Sequence, residues 1–298
     1  MLKEKAQAKY AQRTITSIDR RENLSHKELV EKYVEPGIPV VITDATKNWP
    51  GKNKFTPDFF RKNYGHVSKE VNGVNYTLAE VLDLILKPSP EKPAPYPFNL
   101  NIEEHFPELL KDLKPELICG RIDRVNHPLL PRFMMHGTIV YEFFSGGKGA
   151  AFPYLHIDAL CLHTQLTQLW GSKDVLLFPP EQDPLMYPGI ESPKYSQVNL
   201  RNPDYDKFPL FRQAKPFRVT VKEGETIFFP TGWWHSTEIH EPNITFTRIQ
   251  LNRQNWKKYI HDEYTVWKNK STFMGPAVMA YGTVLGQLMN LQEKFTRQ

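Results

Sequence analysis

The residues of this 298-residue chain best suited to chemistry sit in Tyr154-Leu155-His156-Ile157-Asp158. On an extended strand, residues i and i+2 face the same side, so the His156 imidazole and the Asp158 carboxylate project together. Such a pair can fill two adjacent positions around a metal ion. A second imidazole from elsewhere would complete the two-histidine, one-carboxylate face that holds Fe(II) and leaves the opposite positions open for small reactants. A lone His-x-Asp is weak evidence, since a solvated surface pair has the same sequence.

The second imidazole has three candidates, His235, His163 and His240. His235 ends the run Gly224-Glu-Thr-Ile-Phe-Phe-Pro230-Thr-Gly-Trp-Trp-His235, a turn, an apolar strand, a Pro-Gly turn and two tryptophans. A histidine in such company is either a core residue or a ligand. Burying an unpartnered ring costs roughly 1–3 kcal/mol, which a metal bond offsets. His240 precedes Glu241-Pro242, a turn, and ranks lower.

Other elements must carry these groups. Ser25, with Glu28 three residues later, predicts a capped helix reaching about Tyr33. Ile38 to Thr43 reads as a short buried strand closed by Asn48-Trp-Pro-Gly, and Thr56-Pro57-Asp58 opens a helix. Apolar residues at 78, 81, 82, 85 and 86 predict a second helix. Five prolines between Pro88 and Pro97 make a loop, and residues 102–118 read as weakly patterned helix. From about residue 133 to 251 short strands alternate with turns, the pattern of an antiparallel sandwich or barrel. Helices are predicted over 256–267 and 272–295. This divides the chain into an N-terminal segment (1–132), a β core (133–252) and C-terminal helices (253–298).

His156-Ile-Asp158, Gly171-Ser-Lys173, Leu177-Phe-Pro-Pro180 and Pro230-Thr-Gly-Trp-Trp-His235, in this order, resemble the JmjC (cupin-like) family of 2-oxoglutarate oxygenases. Ser196 to Phe211 is similar to the matching region of the asparaginyl hydroxylase of hypoxia-inducible factor, and Ile38-Pro-Val-Val-Ile and Asn48-Trp-Pro resemble the start of such small hydroxylases. The resemblance spans about residues 36–252. It implies a mainly β fold, a double-stranded β-helix (jelly roll) with flanking helices. It implies Fe(II) on His156, Asp158 and His235, and 2-oxoglutarate and O2 as cosubstrates. It also implies that Lys173 binds the far carboxylate of 2-oxoglutarate, with Thr247 hydrogen-bonding the same group. Tyr141, on the strand before the Gly-rich turn, is a further cosubstrate contact, with core packing as its alternative.

The chain departs from the family at Pro153, where many relatives have Thr, and at Ile249, where some have Asn; Gln165, Gln250 or Tyr141 are candidates to compensate. The implied activity is hydroxylation of a C–H bond, since halogenating relatives carry a small residue in place of Asp158. The implied substrate is a protein side chain, a peptide or a small amino-acid-like molecule, and the resemblance extends to a homodimer through the C-terminal helices. Two rivals share the fold: a catalytically silent cupin-like binding module, and a cupin metalloenzyme that does not use 2-oxoglutarate. The second has no need of a lysine at 173.

Composition narrows the setting. Hydrophobic residues at 40% and charged residues at 24% exclude wholesale disorder. No apolar run is long enough for a membrane span. The 38 basic and 33 acidic residues, net +5, are interspersed, which argues against nucleic acid as a partner. The polar start, Met1 to Gln7, lacks the apolar segment of a signal peptide, and two cysteines, Cys119 and Cys161, suit a reducing cytoplasm better than a disulfide framework.

Overall fold

A computed structural model describes residues 15–89 and 91–296, so the polar start of the chain lies outside the described residues. Chain order gives β1 (Asp19–Arg21), a capped turn of helix α1 (His26–Leu29) running into a π-helical turn (Val30–Val34), and β2 (Val40–Ile42). The capping box is present: the Glu28 amide donates to the Ser25 hydroxyl while the Glu28 carboxylate accepts from the Ser25 amide. Helix α2 (Pro57–Tyr64) starts at a Thr56 cap with proline at its first position. A hairpin follows, β3 (Ser68–Val71) and β4 (Val74–Thr77), turning on Asn72-Gly73, both at positive φ. Helix α3 (Leu78–Leu86) has its own capping box, Thr77 with Glu80. The predicted helix over 102–118 is shorter than expected. After β5 (Phe98–Asn101), α4 (Ile102–His105) stops where Pro107 removes a backbone donor, and residues Pro107–Leu113 continue as a 3-10 turn.

The remaining strands are β6 (Tyr141–Gly146), β7 (His163–Trp170), β8 (Lys173–Phe178), β9 (Phe217–Val221), β10 (Thr226–Phe229), β11 (Trp234–Glu238) and β12 (Asn243–Gln250). They form two facing sheets, one ordered β1-β2-β10-β7-β12-β6-β5 and one ordered β11-β8-β9. This is a jelly roll. Strands from before residue 133 extend its larger sheet, β1 and β2 at one edge and β5 at the other. Between the sheets, Val41, Leu166, Val175, Leu177, Ile227 and Trp233 form one core cluster.

The outer face of the large sheet is covered by helices, with Phe60, Leu82, Phe143 and Phe246 in that layer. Helices α5 (Trp256–Lys270) and α6 (Met274–Phe295) complete it and pack on each other. They approach closely because α6 presents glycine. A Cβ on Gly282 would lie 2.2 Å from Ile260 Cδ1, and one on Gly286 would lie 2.3 Å from the Trp256 indole nitrogen. That indole instead donates to the Gly282 carbonyl at 2.9 Å. No helix among the described residues is long and apolar enough to cross a membrane.

Alternation on the strands decides what the interior of the roll contains. On β6, Tyr141 and Phe143 face the helical layer, while Glu142 and Phe144 face inward. On β12 the inward residues are Thr247 and Ile249, and on β7 they are Thr164 and Leu166.

Candidate metal centre

His235 lies on β11, and its backbone is paired with that of His156: the His156 amide donates to the His235 carbonyl at 3.1 Å, and the reverse bond is 2.8 Å. The two ligand positions are therefore directly opposite each other across a one-residue bridge. The expectation that His156 and Asp158 share a regular strand needs correction. His156 makes only single bridges, to His235 and Tyr195, and Asp158 lies beyond them at the start of a 3-10 turn. The extended backbone still turns both side chains to one side. His156 Nε2 is 3.9 Å, and His235 Nε2 3.6 Å, from Asp158 Oδ1. One donor atom from each residue lies within 4.8 Å of the other two. Donors about 2.1 Å from an ion at right angles stand about 3 Å apart, so an ion would draw each histidine nitrogen and the Asp158 oxygen together by less than about 1 Å.

Hydrogen bonding prepares both rings for this. Nδ1 of His235 is 3.0 Å from the Trp233 carbonyl, and Nδ1 of His156 is 3.3 Å from the Tyr154 carbonyl. A carbonyl only accepts, so in each ring Nδ1 carries the proton and Nε2 presents its lone pair. Burial, helped by the neighbouring His235, holds the His156 imidazole down at about 4, keeping it neutral and able to ligate at pH 7. Its ring is stacked between Phe152 and Tyr195. Asp158 is fixed by Thr164, whose hydroxyl donates to Oδ2, leaving Oδ1 toward the histidines.

The competing histidines stand elsewhere. His163 faces away from the interior, with Nδ1 accepting from the Thr231 amide at 3.2 Å. His240 pairs with Asp174 at 3.0 Å.

The triad opens into a cavity of about 210 Å³ walled by Tyr96, Asn99, Phe144, Phe152, Thr247 and Lys173 among others. Lys173 begins β8 and is 2% exposed. Its ammonium lies 5.8 Å from the centre of the Phe144 ring and has no carboxylate partner among the described residues. Burial pushes it down to about 7. A desolvated cation facing a cavity suits a carboxylate-bearing ligand. Thr247 lines the same cavity, its hydroxyl donating weakly to the Glu142 carbonyl at 3.5 Å.

Of the two readings of Tyr141, the structure shows core packing: it stacks on Phe246 in the helical layer, its hydroxyl donates to Glu116, and it does not line the cavity, which corrects its placement as a cosubstrate contact. Its neighbour Glu142 faces the cavity instead. Gln165 and Gln250 do not compensate at the cavity either. They hold the segment at Cys119, with Gln250 Oε1 accepting from the Cys119 amide at 2.7 Å.

Sequence reasoning missed Asn99, Glu142 and Thr164. The Asn99 amide donates to Glu142, and burial pushes the Glu142 carboxyl up to about 7 against that bond. The available signal was parity: in Tyr141-Glu-Phe-Phe144 one charged residue interrupts an aromatic strand.

A family model described as a cupin-like domain matches residues 56–248, well over half of the sequence. The chain belongs to the cupin-like domain family. The chain is 26% identical over 256 residues to "Lysine-specific demethylase JMJ21" of Arabidopsis thaliana, covering 80% of the chain and 26% of the relative. It is 26% identical over 238 residues to "JmjC domain-containing protein D" of Dictyostelium discoideum, covering 71% and 51%. Human "HSPB1-associated protein 1" is 39% identical over 101 residues, covering 33% and 20%. The JmjC resemblance read from the motifs is borne out. The chain spans between about a fifth and about half of the length of these relatives. The donor set of the cupin-like domain fits Fe(II), two neutral imidazoles and one carboxylate on one face, and buried Lys173 fits the far carboxylate of 2-oxoglutarate.

Proposed function

We propose that this cupin-like domain is an Fe(II)- and 2-oxoglutarate-dependent oxygenase that hydroxylates a C–H bond of a protein side chain or a small amino-acid-like substrate. His156, Asp158 and His235 hold the metal, and Lys173, with Thr247 beside it, binds the cosubstrate. The iron supplies a reaction in which the substrate C–H, O2 and 2-oxoglutarate become C–OH, succinate and CO2. Where that C–H belongs to an N-methyl group, the same oxidation ends in loss of the methyl, the activity type named for the Arabidopsis relative.

The observation that carries this reading is the buried, unpaired Lys173 ammonium facing the same cavity as the triad. A cupin that needs no 2-oxoglutarate gains nothing from that desolvation cost, and a silent binding module has no use for a complete set of metal donors. Anaerobic addition of Fe(II) and then 2-oxoglutarate is expected to give a visible charge-transfer band. Admission of O2 with substrate should convert 2-oxoglutarate to succinate and add the mass of one oxygen atom to the product. No band from the wild-type protein would overturn the reading.

The proposed organisation keeps 133–252 as the jelly-roll core, with the described residues of the 1–132 and 253–298 segments packed on it. Tyr96 and Pro97, from the proline-rich loop, and Tyr195, stacked on His156, support placing the substrate groove between the 88–97 and 182–215 segments. Cys119 and Cys161 are both free cysteines, which suits a reducing cytoplasmic setting.

We also propose a homodimer through α6. Its outward residues Tyr281, Val284, Leu288, Leu291 and Phe295 are 43–78% exposed and recur every three or four residues. This is the spacing of a helix-pairing seam, and a second copy of the same face complements it. Sedimentation should give a dimer for the wild type and a folded monomer for Leu288→Glu/Leu291→Glu. A monomeric wild type contradicts the proposal.

A further inference from the structure

A second cavity, of about 590 Å³, adjoins the metal cavity and shares its Tyr96 wall. It lies between the 88–97 loop and Arg201 of the 182–215 segment, and the glycine-rich turn after β6 forms its floor. We propose that this groove takes the main chain of a protein substrate and selects an acidic residue near the one that enters the metal cavity, with Lys148 and Arg201 as receptors. This rests on the oxygenase reading, whose substrate it narrows to an acidic stretch of polypeptide.

Charge is the first support. Lys148 and Arg201 are exposed and are the charged residues on the groove, and no carboxylate of the described residues lines it. The acids nearby in the chain are occupied: Glu91 accepts from the Ser89 hydroxyl, and Glu238 pairs with Arg218 at 2.6 Å. Arg201 is anchored by one side-chain bond, its Nη2 donating to the Gly149 carbonyl at 2.6 Å. Its remaining N–H groups and the Lys148 ammonium have no partner among the described residues. Two like charges on one groove repel, and a carboxylate between them relieves the repulsion through charge-assisted hydrogen bonds.

Shape decides the kind of guest. Pro88, Pro93, Gly147, Ala150 and Ala151 line the groove, and such small side chains let another backbone approach closely. A free amino acid seated at the triad would leave this space unused. A polypeptide must continue past its reacting residue, and Tyr96 leads it here.

The groove is also held in register with the metal donors. The Gly149 amide donates to the Ile239 carbonyl and the Ile239 amide to the Ala150 carbonyl, both at 2.8 Å. The Phe152 amide donates to the Thr237 carbonyl at 2.9 Å. These bonds fix the turn against β11 and the residue after it, the strand that carries His235. Ile239 lies four residues beyond His235, about 13 Å at about 3.3 Å per residue. An extended peptide covers that distance with about four residues, so the selected acid lies about four positions from the reacting one.

The plain alternative is that Lys148 and Arg201 are ordinary solvated surface cations. The test uses the full chain with Fe(II) and 2-oxoglutarate under anaerobic conditions. Fluorescein-labelled probes are read by anisotropy: a decapeptide of alternating serine and glutamate, its serine–glutamine counterpart, and a short oligothymidylate. The acidic peptide is expected to bind about tenfold more tightly than the neutral one, by a margin that shrinks as salt is added. Lys148→Ala and Arg201→Gln should each weaken the acidic peptide by about threefold or more and leave the neutral one unchanged. Lys257→Ala, which removes an exposed cation from α5, should alter neither.

Equal binding of the two peptides, or binding of neither, would overturn the inference. So would a loss with Lys257→Ala that matches the loss with Lys148→Ala. An oligothymidylate that binds more tightly than the acidic peptide, through the same two residues, would overturn it in favour of nucleic acid. A preference lost only together with the charge-transfer band would give the two cations a structural role instead. The oxygenase reading fails separately, by absence of the band in the wild type, and anisotropy reports the peptide preference in either case.

Discussion

Asp158→Ala is expected to weaken Fe(II) binding by at least about 100-fold while leaving the protein folded. Loss of groups that merely orient a ligand typically costs 10–100-fold in metal affinity, and Asp158 supplies a donor atom and the only carboxylate of the triad. Among the described residues its one side-chain hydrogen bond comes from Thr164, and it is only partly buried, so little of the core depends on it. Thr164→Val gives the graded control. It removes the bond to Oδ2 without touching a ligand atom and should weaken Fe(II) binding by about tenfold, with Thr164→Ser restoring it. Equilibrium competition against a metal indicator measures both variants. An Asp158→Ala protein that binds Fe(II) like the wild type would show that the three side chains converge for another reason.

The parts of this site legible in the sequence are those fixed by short-range chemistry. His156 and Asp158 are two residues apart in extended chain, and any nearly extended backbone turns them the same way, even though no regular strand forms there. His235 was legible through the burial cost of an imidazole among tryptophans, together with the motif order. Side-chain capping and proline placement likewise announced α1 and α2, and the spacing of apolar residues announced α3. What failed were questions of face and long-range pairing. Tyr141 and Glu142 are adjacent, and choosing the residue that enters the cavity requires knowing which face of β6 the helices cover. Nothing local to residues 141–144 says so. Asn99 lies 43 residues before its partner Glu142, and only the antiparallel pairing of β5 with β6 brings them together. Residues 102–118 misled for a local reason, since Pro107 outweighs a weak helical pattern.

Lys173→Met is expected to abolish 2-oxoglutarate binding and, at the same time, to make the unliganded protein more stable. The two effects have one cause. The Lys173 ammonium is buried without a counter-charge, and burial pulls it down to about 7 from an ordinary value near 10.4. Between these two values the unfolded chain holds a proton that the folded one has released, so the stability of the wild type rises as pH increases from about 7 to about 10. Below about 7 both states are protonated and the folded state carries the whole cost. Methionine is close in length and uncharged, so it removes that cost, and at pH 7 the variant should gain on the order of 1–3 kcal/mol and lose the pH-dependent rise. A cosubstrate carboxylate reverses the balance in the wild type by supplying the missing anion. With Mn(II) as an inert substitute for iron, 2-oxoglutarate should raise the melting temperature of the wild type and leave that of Lys173→Met unchanged. Thermal melts from pH 6 to 10, with and without 2-oxoglutarate, provide the comparison. A variant that is destabilised at pH 7 and still stabilised by 2-oxoglutarate would mean that Lys173 serves packing alone and that another group binds the cosubstrate.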